Sequence, residues 1–564
     1  MNKSRFGKNI FFEVEGESHA KEIEFVLKGV PKGFEIDLDE LREFMQRRAP
    51  GNDIFSTARK ESDEIVFDNG VEDGVVTGDF ISGKIANEDV RPADYGEERT
   101  IPRPGHADFA QWITLGRIPT GGGANSGRMT AAYCAAGGIC KQYLEQEFGV
   151  IIRARVETIH GKTFALDDEI LKAKTMGDSV GGTIVCTIEN LASGIGGPMF
   201  AGLESKLSPA LFAIPGVKGV EFGDAFEGTR QYGSEYNDQF NVDSEGIVFT
   251  KSHRQGGLFG GMSIGTPISF RLAVRPTPTI FKEQDSVDLK TMKPAKLSMK
   301  GRHDPCIVRR AVPVVEAVTA LALLDVFLEM PEYPPIYLTL TGKTLEEDIE
   351  QARSQKYFAS CYELRADLLN PEERKRIPEF CQKFAPSSMI LTCRRKKDGG
   401  AFEGTEEERV DFFRYALANA NPPFAFVDFE QDFNIDALKT LANKRDTTII
   451  RSRHDFKPTA KSVSTRIREL SVGHKNEVLK LAFTLPDKPH ALRSLMEESI
   501  NWRDKPVVLV AMGEKGLLTR IEPGLFNSMW TYASVGGLEN LGHVTPQEIR
   551  RRRSLGMDSW INTL

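Results

Sequence analysis

A lysine in the middle of an apolar run is uncommon, yet Lys480 stands inside Val478-Leu-Lys-Leu-Ala-Phe483. Burial penalises the ammonium, which lowers the lysine pKa and makes the amine a nucleophile toward a carbonyl carbon. The chemistry this predicts is a Schiff base with a small keto substrate. His454, in His454-Asp-Phe456, is placed to move protons once an imine forms. Other charged residues recur at the ends of β-branched runs. They are Glu363-Leu-Arg365-Ala-Asp367, Arg394, Asp428-Phe-Glu430, and Arg520 beyond Met512-Gly-Glu-Lys-Gly516. Singly, Glu363 with Arg365 reads as a solvated ion pair and His454 as a structural histidine. Their recurrence at strand ends points to one site.

The first half carries a different set. His19 and His106 lie in glycine loops, Gly16-Glu-Ser-His19 and Arg103-Pro-Gly-His106-Ala-Asp108. Arginines stand in similar contexts: Arg47-Arg48-Ala-Pro-Gly51, Arg59, Arg128 after Gly121-Gly-Gly123, and Arg302-His-Asp304. Guanidinium forks and glycine-exposed amides suit phosphate and carboxylate groups. Gly122-x4-Gly127 is not a P-loop, because Arg128-Met129 replaces the required Lys-Ser/Thr. No His/Cys/acid spacing suggests a metal site. These residues alone imply an acid–base site for a polyanionic small molecule.

The elements that position the second set alternate regularly. Strands are predicted at Ile336–Thr341, Tyr357–Leu364, Ser388–Thr392, Phe424–Asp428, Thr447–Ser452, Val478–Phe483, Val507–Ala511 and Met529–Ala533. Amphipathic stretches such as Thr344–Gln355, Thr405–Ala418, Lys461–Leu470 and Asp487–Ile500 separate them. Eight such units in about 230 residues predict a closed α/β TIM (β/α)8 barrel, with its chemistry at the C-terminal strand ends. Met330-Pro-Glu-Tyr-Pro-Pro335 ends the preceding apolar helix, Val312 to Leu328, and marks a boundary between domains 1–330 and 331–564.

The 564 residues carry a net charge of −7, which argues against a nucleic-acid partner. No stretch is expected to approach the ~20 apolar residues that span a bilayer, and the N-terminus has no secretory pattern. Seven scattered cysteines without a C-x-x-C pair predict reduced thiols and a cytoplasmic protein.

The barrel residues resemble type I 3-dehydroquinate dehydratase across most of Ile336 to Gln547. The shared motifs are Glu363-x-Arg365-x-Asp367, His454-Asp-Phe456, Lys480, and Met512-Gly-x-x-Gly516 with Arg520. The resemblance implies that Lys480 condenses with the C3 ketone of 3-dehydroquinate. His454 then removes a C2 proton and delivers it to the departing C1 hydroxyl. Asp398, in Asp398-Gly-Gly400 where the family has Glu-Gly-Gly, orients His454. Glu363, Arg365, Arg394 and Arg520 bind substrate, and Gln547 covers it from a lid. No cofactor beyond the Schiff base is implied. A Schiff-base aldolase on the same barrel is the alternative chemistry.

Residues 8 to 328 resemble chorismate synthase, an α+β β-α-β sandwich. The resemblance rests on Gly16-Glu-Ser-His19, Arg47-Arg-x-Pro-Gly51, Arg103-Pro-Gly-His-Ala-Asp108, Gly256-Gly-Leu-Phe-Gly-Gly261 and Lys300-Gly-Arg-His-Asp-Pro-Cys306, among others. It implies elimination of phosphate from 5-enolpyruvylshikimate 3-phosphate with reduced FMN. His19 serves the leaving phosphate, His106 the reduced flavin, and Asp304 the proton transfer. Arg48, Ser126, Arg128 and Arg302 would hold substrate; His253, Gly256, Gly257, Arg275 and Thr279 would hold the cofactor. Thr120 and Ala124 stand where the family has arginines. The expectation is a cytoplasmic, homo-oligomeric bifunctional shikimate-pathway lyase acting on small molecules, served by a separate flavin reductase. The alternative is an active dehydratase whose first domain is an oligomerisation or FMN-binding scaffold.

Overall fold

The computed structural model describes residues 3–51, 55, 61–88, 99–244, 246–299, 303–330, 333–384, 388–459, 461–471, 477–488 and 490–554. The chain divides into two compact units, Met1–Pro331 and Glu332–Leu564.

The first unit has two larger antiparallel sheets with helices between them. One sheet runs in the order Lys3–Phe6, Phe11–Gly16, Glu22–Lys28, Ile81–Ala86, Ile65–Asn69. Its strands alternate in the manner of a sheet covered on one face: Ile23, Phe25 and Leu27 are buried while Glu24 and Lys28 face water. The other runs Val217–Phe222, Ile268–Val274, Gly182–Glu189, Ile151–Ile159. The helices Thr130–Phe148 and Val308–Glu329 pack on each other, the former against the first sheet and the latter against the second. They cross closely because Gly137 lacks a side chain; a Cβ there would lie 2.3 Å from the Ala317 carbonyl oxygen. Val308–Glu329 corrects the expectation about apolar length. Its 22 residues pass the length and hydropathy test for a membrane span, but 83% of the apolar window is buried inside this unit. A helix sandwiched between two sheets is apolar all round for that reason.

The second unit is an eight-stranded parallel barrel. Its strands are Ile336–Leu340, Cys361–Arg365, Ser388–Thr392, Phe426–Glu430, Thr448–Asp455, Glu477–Thr484, Val507–Met512 and Thr531–Ala533, each followed by a helix. The ladder runs 7-6-5-4-3-2-1-8. Closure between the seventh and eighth strands lacks a ladder; there Met529 N–H donates to the Val507 carbonyl at 2.9 Å. The second strand starts at Cys361 rather than Tyr357, because Tyr357 and Phe358 still belong to the turn after the first helix.

Alternation separates two cores. Leu479, Leu481 and Phe483 join the layer between strands and helices, whereas Val478 and Ala482 join an interior plug with Tyr337, Ile390, Ile450, Val508 and Trp530. Lys480 lies between Val478 and Ala482, so period two points it into the barrel. Leu338, Tyr362, Leu364, Leu391, Val427 and Phe429 face outward. The same period therefore turns Thr339, Glu363, Arg365, Thr392 and Asp428 inward.

Candidate active sites

The barrel pocket is lined by Thr339, Glu363, Arg365, Arg394, Asp398, His454, Lys480, Arg520, Tyr532 and His543, among others. Lys480 Nζ donates to Asp428 Oδ2 at 2.8 Å and to Glu363 Oε1 at 3.3 Å, and lies 4.2 Å from the centre of the Tyr532 ring. Glu363 also accepts from the hydroxyls of Thr339 and Thr392, both at 2.9 Å. Asp428 accepts from Ser452 Oγ at 2.5 Å. Register places these donors, since Thr339 pairs with Glu363, Thr392 with Asp428, and Ser452 with Lys480.

This surrounding reverses the expected pKa of the lysine. Burial disfavours the ammonium, but Asp428 and Glu363 outweigh it and the Lys480 pKa is raised, not lowered. Burial likewise disfavours the Glu363 carboxylate, yet Lys480 and then Arg394 bring it to about 2; Asp428 also falls to about 2. His454 goes the other way: burial, then Arg394 and Lys480, hold its pKa well below the usual histidine value, so it is a neutral base.

Several buried polar atoms find no partner among the described residues: Arg394 Nε, Arg520 Nε, Tyr532 Oη, and the Nδ1 atoms of His454 and His543. Native interiors rarely leave such groups unmet, so their convergence on one pocket marks a ligand position. Arg520 is fixed by donating to the Tyr532 carbonyl at 3.2 Å and the Leu541 carbonyl at 3.0 Å. Burial lowers its pKa to about 10, which leaves it a cation at neutral pH. Arg365 makes a two-pronged pair with Asp367, at 2.9 and 2.7 Å.

Two expected residues are placed differently. Asp398 reaches the pocket lining, but its carboxylate accepts from Arg395 Nε at 2.7 Å, while His454 Nδ1 has no partner among the described residues. The adjacent cation, three residues earlier in the same turn, captures the shorter side chain. Gln547 is exposed on the helix Pro546–Ser554 and does not line the pocket, because the loop before that helix brings His543 there instead. Glu430 is likewise held outside the pocket lining, by Arg409 at 2.7 Å. Sequence reasoning placed Asp428 at the strand ends but missed Tyr532 and His543. The inward period of the eighth strand was a usable signal for Tyr532; nothing local distinguished His543.

The first unit holds a cleft of about 810 Å³ lined by His19, Arg48, Arg103, His106, Ser126, Arg128, Arg275, Thr279, Asp304 and Arg310, among others. Arg48 is buried, and its Nε donates to Asp63 Oδ2 at 2.7 Å. Arg128 donates to the other oxygen of Asp63 and to Asn87 Oδ1 at 2.8 Å. Burial acts to raise the Asp63 pKa, but Arg48 and Arg128 prevail and lower it. One carboxylate thus holds two cations at the cleft wall. His19 packs on the glycine loop: Gly121 has φ +68°, and a Cβ there would lie 2.5 Å from His19 Cε1.

Arg103, not among the site residues expected from the sequence, ties this wall together. It donates to Asp108 at 2.7 Å, approaches His106 Nδ1 at 3.0 Å, donates to Thr279 Oγ1 at 3.3 Å, and also donates to the Gly121 carbonyl. Burial lowers the His106 pKa; Asp108 opposes this and Arg103 assists it. Arg310 donates to Asp304 Oδ2 at 2.7 Å. His253, Gly256 and Gly257 do not line the cleft. His253 is exposed, and Gly256 packs on strand backbone, where a Cβ would lie 2.5 Å from the Ser269 carbonyl oxygen. Arg302 lies outside the described residues.

Comparison with known proteins matches residues 10–328 to the chorismate synthase family model and residues 336–555 to that of type I 3-dehydroquinase. A chorismate synthase of Lancefieldella parvula is 37% identical over 374 residues, covering 59% of this chain and 98% of that protein. One from Thermococcus gammatolerans is 39% identical over 344 residues, covering 57% and 96%. Among solved structures, a chorismate synthase aligns with TM-score 0.45 and 24% identity over 62% of this chain and 98% of that one. The type I 3-dehydroquinate dehydratase of Clostridium difficile aligns with TM-score 0.35 and 20% identity over 40% and 93%.

Proposed function

The chain belongs to the chorismate synthase family through residues 10–328 and carries a type I 3-dehydroquinase domain at 336–555, both lyase families, and from this premise we propose a bifunctional shikimate-pathway enzyme with an imine-forming dehydratase and a chorismate-forming cleft. The observation that carries the barrel assignment is Lys480 Nζ set inside the barrel beside Asp428 and Glu363, in a pocket of polar groups that have no partner among the described residues.

Lys480 rests as an ammonium, so imine formation begins with loss of a proton, and neutral His454 is the base at hand. The freed amine attacks the C3 ketone carbon of 3-dehydroquinate. His454 returns its proton to the carbinolamine oxygen and the attacking nitrogen passes it a second; that oxygen leaves as water and yields the protonated imine. The imine nitrogen draws electrons as His454 takes the C2 proton; the C1 hydroxyl then departs as water with that proton. A second water hydrolyses the imine, releasing 3-dehydroshikimate and Lys480. Arg520 and Arg394, whose Nε atoms have no partner among the described residues, would receive the carboxylate and hydroxyl oxygens of the substrate. Borohydride trapping with 3-dehydroquinate should label Lys480; label elsewhere, or none, would overturn the assignment.

In the first unit, a volume of about 810 Å³ lies within the range of small-molecule sites. Its cations and hydroxyls fit a phosphate-bearing flavin and an anionic substrate. Arg275, Thr279, His106 and Asp304 would hold FMN, and Arg48, Ser126 and Arg128 the substrate phosphate and carboxylates. Reduced FMN, when bound, supplies electron density transiently and is not consumed. His19 would donate a proton to the leaving phosphate oxygen of 5-enolpyruvylshikimate 3-phosphate. Anaerobic assay with photoreduced FMN tests this half: chorismate formation supports it, and flavin binding without turnover leaves a scaffold.

A further inference from the structure

We infer that His543 contacts the substrate of the barrel directly, hydrogen-bonding an oxygen of the bound keto acid from the loop after the last strand; this rests on the dehydratase assignment above. His543 lines the same pocket as Lys480, His454 and Arg520, and its buried Nδ1 has no partner among the described residues. A ring nitrogen buried without a partner is costly, and a ligand oxygen in the pocket would relieve that cost.

The loop is built to hold the ring there. Its Leu541 carbonyl accepts from Arg520 at 3.0 Å and from Gly513 N–H at 3.3 Å, which fastens it to the seventh strand's loop. His543 N–H donates to the Leu538 carbonyl at 3.3 Å, and Ser534 N–H to the Val544 carbonyl at 3.1 Å. Gly542 has φ +77°, and a Cβ there would lie 2.8 Å from the Gly513 carbonyl oxygen, so backbone rather than side chain makes this contact. The groups acting on the ring are Arg520, Glu363, Arg365 and Lys480. Burial first, then Arg520, keep the imidazole neutral, Glu363 opposing. A neutral ring gives one donor and one acceptor without adding a charge to a pocket that already holds four cations: Lys480, Arg365, Arg394 and Arg520. Gln547, exposed on the following helix, makes no such contact from its position.

The interaction is made alike in ground and transition states, so its loss should appear in KM. His543→Ala should lower kcat/KM about 10- to 100-fold, with kcat changed less than about fivefold. His543→Asn should recover most of the loss because its amide donates and accepts in similar places. His543→Phe fills the volume without a polar atom and should not recover it. Borohydride trapping of 3-dehydroquinate at Lys480 runs alongside in the full chain. No trapping in the unaltered protein would sink the dehydratase assignment itself. Normal trapping with His543→Ala within twofold of the parent, or with Phe restoring what Asn does not, would overturn only the role of His543. If His543→Ala does not fold, the Asn and Phe pair decides the matter alone.

Discussion

Asp428→Asn isolates what holds Lys480 charged. The amide keeps the shape of the carboxylate; its one oxygen accepts from Lys480 while its NH2 donates to the Ser452 hydroxyl, so the lysine stays in place while one negative charge is lost. At 2.8 Å and an effective dielectric near 20, that charge attracts the ammonium by about 6 kcal/mol; Glu363, at 3.3 Å, contributes about 5 kcal/mol. These gross attractions are opposed by burial and by Arg394. If only a quarter of the Asp428 attraction is realised, about 1.5 kcal/mol, free amine at a given pH rises about tenfold. The sign follows directly: a carboxylate favours the ammonium, so removing it lowers the Lys480 pKa. The assay is the pH dependence of single-turnover imine formation with 3-dehydroquinate, quenched with borohydride and quantified at Lys480 by mass spectrometry. The rising limb should move to lower pH by about one unit or more in Asp428→Asn, and by less in Glu363→Gln. A limb that stays put or moves to higher pH would refute the electrostatic account of this site.

Acid stability of the barrel should carry the signature of Glu363. Its folded pKa of about 2 lies below the ordinary 4.5, so its contribution is present above pH 4.5 and fades as pH falls toward 2. Urea midpoints of parent and Glu363→Gln should accordingly converge as pH falls from about 4.5 toward 2; a constant gap would count against it. Because Arg395 holds Asp398, Asp398→Asn should cost less than about tenfold in kcat, whereas His454→Asn should cost at least about 100-fold. Equal losses measured side by side would show that Asp398 works on His454 during turnover. In the first unit, Gly121→Ala places a methyl against His19 and strains φ +68°; chorismate formation should fall at least about tenfold while the unit's thermal unfolding shifts by only a few degrees.

The local pattern of the chain carried the barrel a long way. Strand and helix alternate on a short beat, and a period of two along Val478–Phe483 already decides which side chains can share a layer with Lys480. Glycine loops likewise announced His19 and His106, because the turns at Gly16 and Gly105 take a positive φ that favours glycine. What local pattern does not carry is the charge state of the site. Lys480 meets Asp428 and Glu363 across separations of 52 and 117 residues. Burial alone predicts a lowered lysine pKa, and two carboxylates delivered by other strands reverse it. Asp398 and Gln547 failed to take their expected places for the same kind of reason: Arg395 captured one, and the bonding of the 536–543 loop put His543 where the other was expected. Residue types and spacing decided that a lysine within an apolar strand, histidines and arginine forks were available. Only tertiary structure decided which charges face one another, because Coulomb energies depend on distances that strand register and barrel closure set.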